Sequence, residues 1–96
     1  MGREPLGRRP AVIISADRLN EGPAGVVIVV PCTTTHRGVP SHIEIDQQDS
    51  GLDEVSYAKC EDVKSISDHR LVVRLGAAKD ETMFSIVRTL KLLLDF

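Results

Sequence analysis

Gly25-Val26-Val27-Ile28-Val29-Val30-Pro31-Cys32-Thr33-Thr34-Thr35 is the stretch on which the fold turns. Val26 to Val30 offer no polar position, so a strand running from Gly25 to Cys32 has no face to give to water and needs cover on both sides. The two branches at Cβ of Val and Ile favour extended backbone over helix. Before it, Glu21-Gly22-Pro23-Ala24-Gly25 is turn chemistry, because glycine supplies positive φ and proline cannot continue a ladder. After it, Thr33 to Pro40 is polar and punctuated by Gly38 and Pro40. That segment reads as a loop leaving the end of the central strand, where functional side chains commonly sit.

Outward from this centre the pattern stays short and β-rich. Ala11-Val12-Ile13-Ile14-Ser15 predicts a strand, and Ala16 to Asn20 a helical turn or loop. Ser41-His42-Ile43-Glu44-Ile45 alternates polar and apolar residues, which predicts a strand with one solvated face. Asp46 to Asp53 is a loop. Glu54–Ala58 and Cys60–Ile66 read as two halves of a bent or bulged strand, and Leu71–Gly76 as the last one. From Lys79 the period becomes helical: Met83, Ile86, Val87, Leu90, Leu93 and Leu94 recur at spacings of three and four, with Ser85, Arg88, Thr89, Lys91 and Asp95 opposite. Asp80 and Glu81 sit in the first turn, where exposed amides favour negative charge. The expected fold is α+β and mainly β, one domain over residues 1–96, built as a small twisted sheet or partly closed barrel with a C-terminal helix.

Composition narrows the function. With 96 residues, a net charge of −2 and three aromatic side chains (Tyr57, Phe84, Phe96), the chain has neither a global pull on polyanions nor a supply of stacking platforms. Nucleic acid, if bound, is expected in a local basic cleft. No apolar run approaches the roughly 18 residues of a membrane helix, and the first ten residues lack a signal-peptide core, so a cytoplasmic protein is expected. In that compartment Cys32 and Cys60 read as two free thiols better than as a disulfide. His36, His42, His69 and the cysteines form no paired ligand motif, and neither a metal nor another cofactor is expected.

What remains is positive charge at Arg3, Arg8 and Arg9, which could converge with Thr33, Thr34, Thr35, His36 and Arg37. An arginine forks two donors onto a phosphate and a threonine hydroxyl can fix one of its oxygens, so the combination suits a phosphodiester. The competing reading is a solvated basic terminus beside a polar turn.

The order of motifs resembles that of MazF/PemK-type toxins. Gly2-Arg3-Glu4-Pro5-Leu6-Gly7-Arg8-Arg9-Pro10 and the apolar strand after it match that family's N-terminal pattern. Val29-Val30-Pro31-Cys32-Thr33-Thr34 matches its second, and Ser56 with Glu61-Asp62-Val63-Lys64-Ser65-Ile66 its third. Arg70-Leu71 and Leu75-Gly76 follow in place. The family's usual first strand has no counterpart ahead of Arg9, which implies either a chain that begins downstream of its natural start or a shortened member whose sheet carries an open edge.

The resemblance implies an SH3-like barrel of the CcdB/MazF kind and a metal-independent endoribonuclease acting on single-stranded RNA. In that mechanism the ribose 2′-hydroxyl attacks the adjacent phosphorus, leaving 2′,3′-cyclic phosphate and 5′-hydroxyl ends. It implies Arg9 and Thr33 as catalytic residues, and Arg3, Glu4, Arg8, Thr34, His36, Arg37, Asp62 and Lys64 as RNA contacts. Glu4 could take the 2′-hydroxyl proton or pair with an arginine. A homodimer and a MazE-like antitoxin are implied as partners, with no membrane. The alternative is a non-catalytic module on the same fold, either a CcdB-like gyrase inhibitor or a shortened, inactive MazF that still binds its antitoxin.

Overall fold

The computed structural model describes residues 9–47, 51–71 and 76–96. Its elements are β1 (Ala11–Ile13), α1 (Asp17–Asn20), β2 (Val26–Thr33), β3 (His42–Ile45), β4 (Ser56–Lys59), β5 (Lys64–Ser67) and α2 (Asp80–Leu94), with 3-10 turns at Cys60–Asp62 and Asp68–Arg70. All strand pairs are antiparallel, and β2 is the hub. β1 lies along one side of it; β4 and β5 lie along the other, and β3 lies outside β4.

The aliphatic run behaves as its composition demands. Val27 and Val29 are buried on one face of β2 and Val30 and Cys32 on the other, all at 3% exposure or less, so the strand is covered on both sides. Positive φ at Gly25 (69°) turns the chain into β2, and its carbonyl accepts from the Asp68 amide at 3.0 Å, pinning the far end of β5. Ser15 anchors the other neighbour: its hydroxyl bonds Asn20 and accepts from the Ile28 amide, tying β1, α1 and β2 together.

β4 and β5 are the two halves expected of a bent strand, but Cys60–Asp62 is a 3-10 turn and not part of the ladder. Three steps along β2, from Cys32 to Val29, answer six along its partner, from Ala58 to Lys64. The surplus bulges out as that turn, which bends the strand and strengthens the local twist. Among the described residues β1 pairs with β2 alone, and the segment on which the expectation of an open edge rests, residues 1–8, lies outside them.

The core joins Val30, Cys32, Ile45, Ala58 and Cys60 to Ile86 and Leu90 of α2, which packs on β3 and the 3-10 turn. The buried stripe of α2 is narrower than its periodicity predicts. Thr82, Ile86 and Leu90 are buried, whereas Val87, Leu93 and Leu94 are 43%, 49% and 52% exposed. Beyond Leu90 every residue of the helix is exposed, so its last turn lies outside the cover given by the sheet and the 3-10 turn. The strand expected at Leu71–Gly76 falls largely on residues 72–75, outside the described residues.

Candidate nucleic-acid site

Strand parity builds the site. Ala58 and Ile43 face the core, so their neighbours Tyr57, Lys59, His42 and Glu44 face the other way. Thr33 pairs with Tyr57, and Tyr57 with Glu44, placing one cross-strand row on that outer face. The β1–β2 register pairs Ala11 with Pro31, and the Cys32 amide donates to the Pro10 carbonyl at 3.0 Å. Continued one residue further, this register puts Arg9 opposite Thr33. The ladder ends at Ala11, but the bond at Pro10 keeps the chain alongside β2, and residues 24 apart in the chain come to line the same groove.

Arg9 and Thr33 line one groove of about 400 Å³, together with Thr35, Arg37, His42, Lys59, Glu61 and Asp62. That volume lies within the range of clefts that hold nucleotide-sized ligands. The Thr33 hydroxyl oxygen accepts from the Thr35 amide at 3.1 Å, which bends the loop back and leaves the O–H free to donate.

The opposite wall is acidic and held in place. Ser41 Oγ donates to Glu61 Oε1 at 2.7 Å, and His42 Nε2 lies 2.8 Å from Glu61 Oε2. The His42 side chain is only 4% exposed, and its Nδ1 is buried without a partner among the described residues. A bare acceptor lone pair is the cheaper atom to bury, so in the neutral imidazole Nε2 carries the proton and donates to Glu61. Desolvation acts to raise the Glu61 carboxyl, but the bonds from Ser41 and His42 outweigh it and hold the group down at about 2. Asp62, the next carboxylate, is paired with Lys59 at 3.0 Å.

Among the residues expected from the sequence, Arg9, Thr33, Arg37 and Asp62 meet in the groove. Thr34 is exposed on the loop beside it, and His36 stacks on Tyr57 with ring centroids 5.0 Å apart. Lys64 lies on β5 opposite Val29 and does not line the groove. Arg3, Glu4 and Arg8 lie outside the described residues. Thr35, named with the threonine loop, lines the groove as well, and His42, Lys59 and Glu61 join it without having been expected to bind RNA. The alternation in His42-Ile43-Glu44-Ile45 already set His42 apart from the apolar face; what it could not say was which strand lay alongside.

The architecture is thus a twisted antiparallel sheet with a helix on one face and, on the other, a groove of cationic, hydroxyl and carboxylate side chains. The chain belongs to the PemK-like, MazF-like toxins of type II toxin–antitoxin systems, whose family model matches residues 1–94. It is 34% identical over 94 residues to the probable endoribonuclease MazF5 of Mycobacterium tuberculosis, covering 94% of this chain and 82% of that one. With the endoribonuclease EndoA of Bacillus subtilis it shares 28% identity over 100 residues, covering 100% and 86%. Among solved structures, a MazE–MazF complex from Deinococcus radiodurans superposes with a TM-score of 0.81 at 23% identity, over 95% of this chain and 86% of that one. An endoribonuclease in complex with its cognate antitoxin from a mycobacterial species gives 0.80 at 25% identity, over 92% and 82%. The expected fold is borne out: the sheet is barrel-like, though not closed.

Proposed function

We propose that this toxin is an endoribonuclease that cuts single-stranded RNA by attack of a ribose 2′-hydroxyl on the adjacent phosphorus. The 2′-oxygen forms a bond to phosphorus while the bond to the 5′-oxygen breaks. The products are a 2′,3′-cyclic phosphate and a 5′-hydroxyl, and the proton lost at one oxygen is balanced by one gained at the other. Charge grows on the non-bridging oxygens as this happens. Preorganised donors at those oxygens are the main means of lowering the barrier. Arg9 supplies a two-pronged cationic donor and Thr33 a hydroxyl, with Arg37 and Thr35 placed to hold neighbouring backbone. The observation that carries the reading is that Arg9 and Thr33 line one groove of a chain of the MazF-like family.

The relatives named as endoribonucleases support the activity, and the antitoxin-bound neighbour supports a MazE-like partner. An acidic, partly disordered antitoxin segment would compete for the same cations and fold as it binds. A second copy of the chain is supported by Phe84, Leu92 and Phe96, which are 70%, 75% and 91% exposed along and just beyond α2. The cytoplasm is the compartment that suits a protein acting on messenger RNA; among the described residues, no helix is long and apolar enough to cross a membrane.

Incubation of the purified protein with a mixed single-stranded RNA in EDTA tests the activity. Fragments ending in 2′,3′-cyclic phosphate are expected. Intact RNA after prolonged incubation would leave a non-catalytic binding toxin as the better reading.

A further inference from the structure

A groove for a polyanion should repel carboxylates, yet Glu61 stands in it, fixed from two sides. Its anchors are firm: the buried His42 ring donates to one oxygen and Ser41 to the other. Its neighbour Asp62 already has a cation in Lys59, whereas Glu61 is paired with no Lys or Arg among the described residues. The Glu61 side chain is 43% exposed, so the remaining lone pair on each oxygen is open to a ligand.

Resting on the nuclease reading above, we propose that Glu61 is a specificity-determining residue that reads the Watson–Crick edge of a guanine next to the cleaved bond. The chemistry selects the base. Guanine is the one RNA base that presents two donors side by side, N1–H and the 2-amino group, to a two-oxygen acceptor. Adenine and cytosine set an acceptor nitrogen beside their amino group, which a carboxylate repels, and uracil flanks its single N–H with two carbonyls. A proton-abstracting role fits less well, because two donated hydrogen bonds stabilise the anion and weaken it as a base. Phosphate toward Arg9 and Thr33, base toward Glu61, then gives the bound strand a fixed orientation in the groove.

The test uses oligoribonucleotides that differ at one nucleotide flanking the cut, carrying each of the four bases or inosine, which lacks the 2-amino group. Cleavage is read on these, and binding on their uncleavable 2′-O-methyl versions by fluorescence anisotropy. At one position guanine is expected to be favoured by roughly tenfold or more, with inosine losing most of that advantage. Glu61→Gln, whose amide offers one donor and one acceptor, is expected to lose the guanine preference and gain adenine at the same position. A wild-type protein that cuts RNA but treats guanine and inosine alike at every position overturns the assignment, and this arm needs no variant to fold. So does a folded Glu61→Gln protein with an unchanged guanine preference. Guanine-dependent binding without any cleavage overturns the nuclease reading instead and leaves Glu61 as the base reader.

Discussion

The two faces of the β2–β4–β3 sheet are built from alternate residues of the same strands and have nothing in common chemically. On the inner face Val30, Cys32, Ala58 and Ile45 pack against Ile86 with no charge among them. One residue along each strand, the outer face carries Thr33, Tyr57, Lys59 and His42, with Arg9 brought alongside by β1. Stability and chemistry are thus separated by a single step of the β period, and a one-residue slip in register would exchange them. The inner face can be altered without replacing a groove residue, and the exposed outer residues without replacing one of the core.

The sharpest way to break that separation is to damage the inner face. Ile86 is completely buried, and Ile86→Ala leaves a cavity expected to cost about 2–5 kcal/mol, a large fraction of what a domain this small possesses. Chemical denaturation should show a lower midpoint. Any protein still folded under native conditions should cut at the same sequence as wild type, since no groove residue has moved. A changed cleavage pattern in the folded fraction would mean the two faces are mechanically coupled.

The reciprocal change removes chemistry and spares the core. Arg9 is exposed and Thr33 half-exposed, so neither substitution empties space in the interior. Arg9→Ala is expected to lower cleavage by about 10²–10³-fold, the range seen when one transition-state donor is removed. Thr33→Val should cost less, about tenfold, because one uncharged donor is lost. Thr33→Ser, which keeps the hydroxyl, should stay near wild type. Melting temperatures should move little in all three; a large fall would show that the groove residues also hold the sheet together.

This division was legible in the sequence to different depths on the two sides. The inner face is a matter of composition and period: Val26-Val27-Ile28-Val29-Val30 and Ile86 with Leu90 announce burial locally. The outer face depends on which strand lies beside which. Arg9 and Thr33 drew a role from the family pattern, whereas Glu61 lay within that pattern without one and His42 lay outside it. They join the groove because β3 pairs with β4 and because the 3-10 turn at Cys60–Asp62 lifts Glu61 out of the ladder toward Ser41 and His42. Register between distant segments and a three-residue surplus are non-local facts, and no window of residues encodes them. The same limit explains the helix: its stripe gave the right face but not the place where the sheet beneath it ends.

The smallest expected effects lie at the two ends of the pH scale, where the faces should fail separately. Glu61, on the outer side, is held at about 2 against an ordinary value of 4.5. The folded protein therefore binds fewer protons there than the unfolded chain, and the stabilisation present above pH 4.5 is lost as the pH falls toward 2. Cys32 and Cys60, on the inner side, are pushed from 9.0 up to about 11, each chiefly by burial. Here the fold keeps protons that the unfolded chain would release, so stability declines as the pH rises from 9 toward 11. Unfolding midpoints measured across both limbs should show Glu61→Gln flattening only the acid limb and Cys32→Ala only the alkaline one. Much of the Glu61 effect is screened by solvent, so its limb should be the shallower. An acid limb that responds to the cysteine change would show that protonation in the groove reaches the core through the Cys60–Asp62 turn, where buried Cys60 adjoins Glu61.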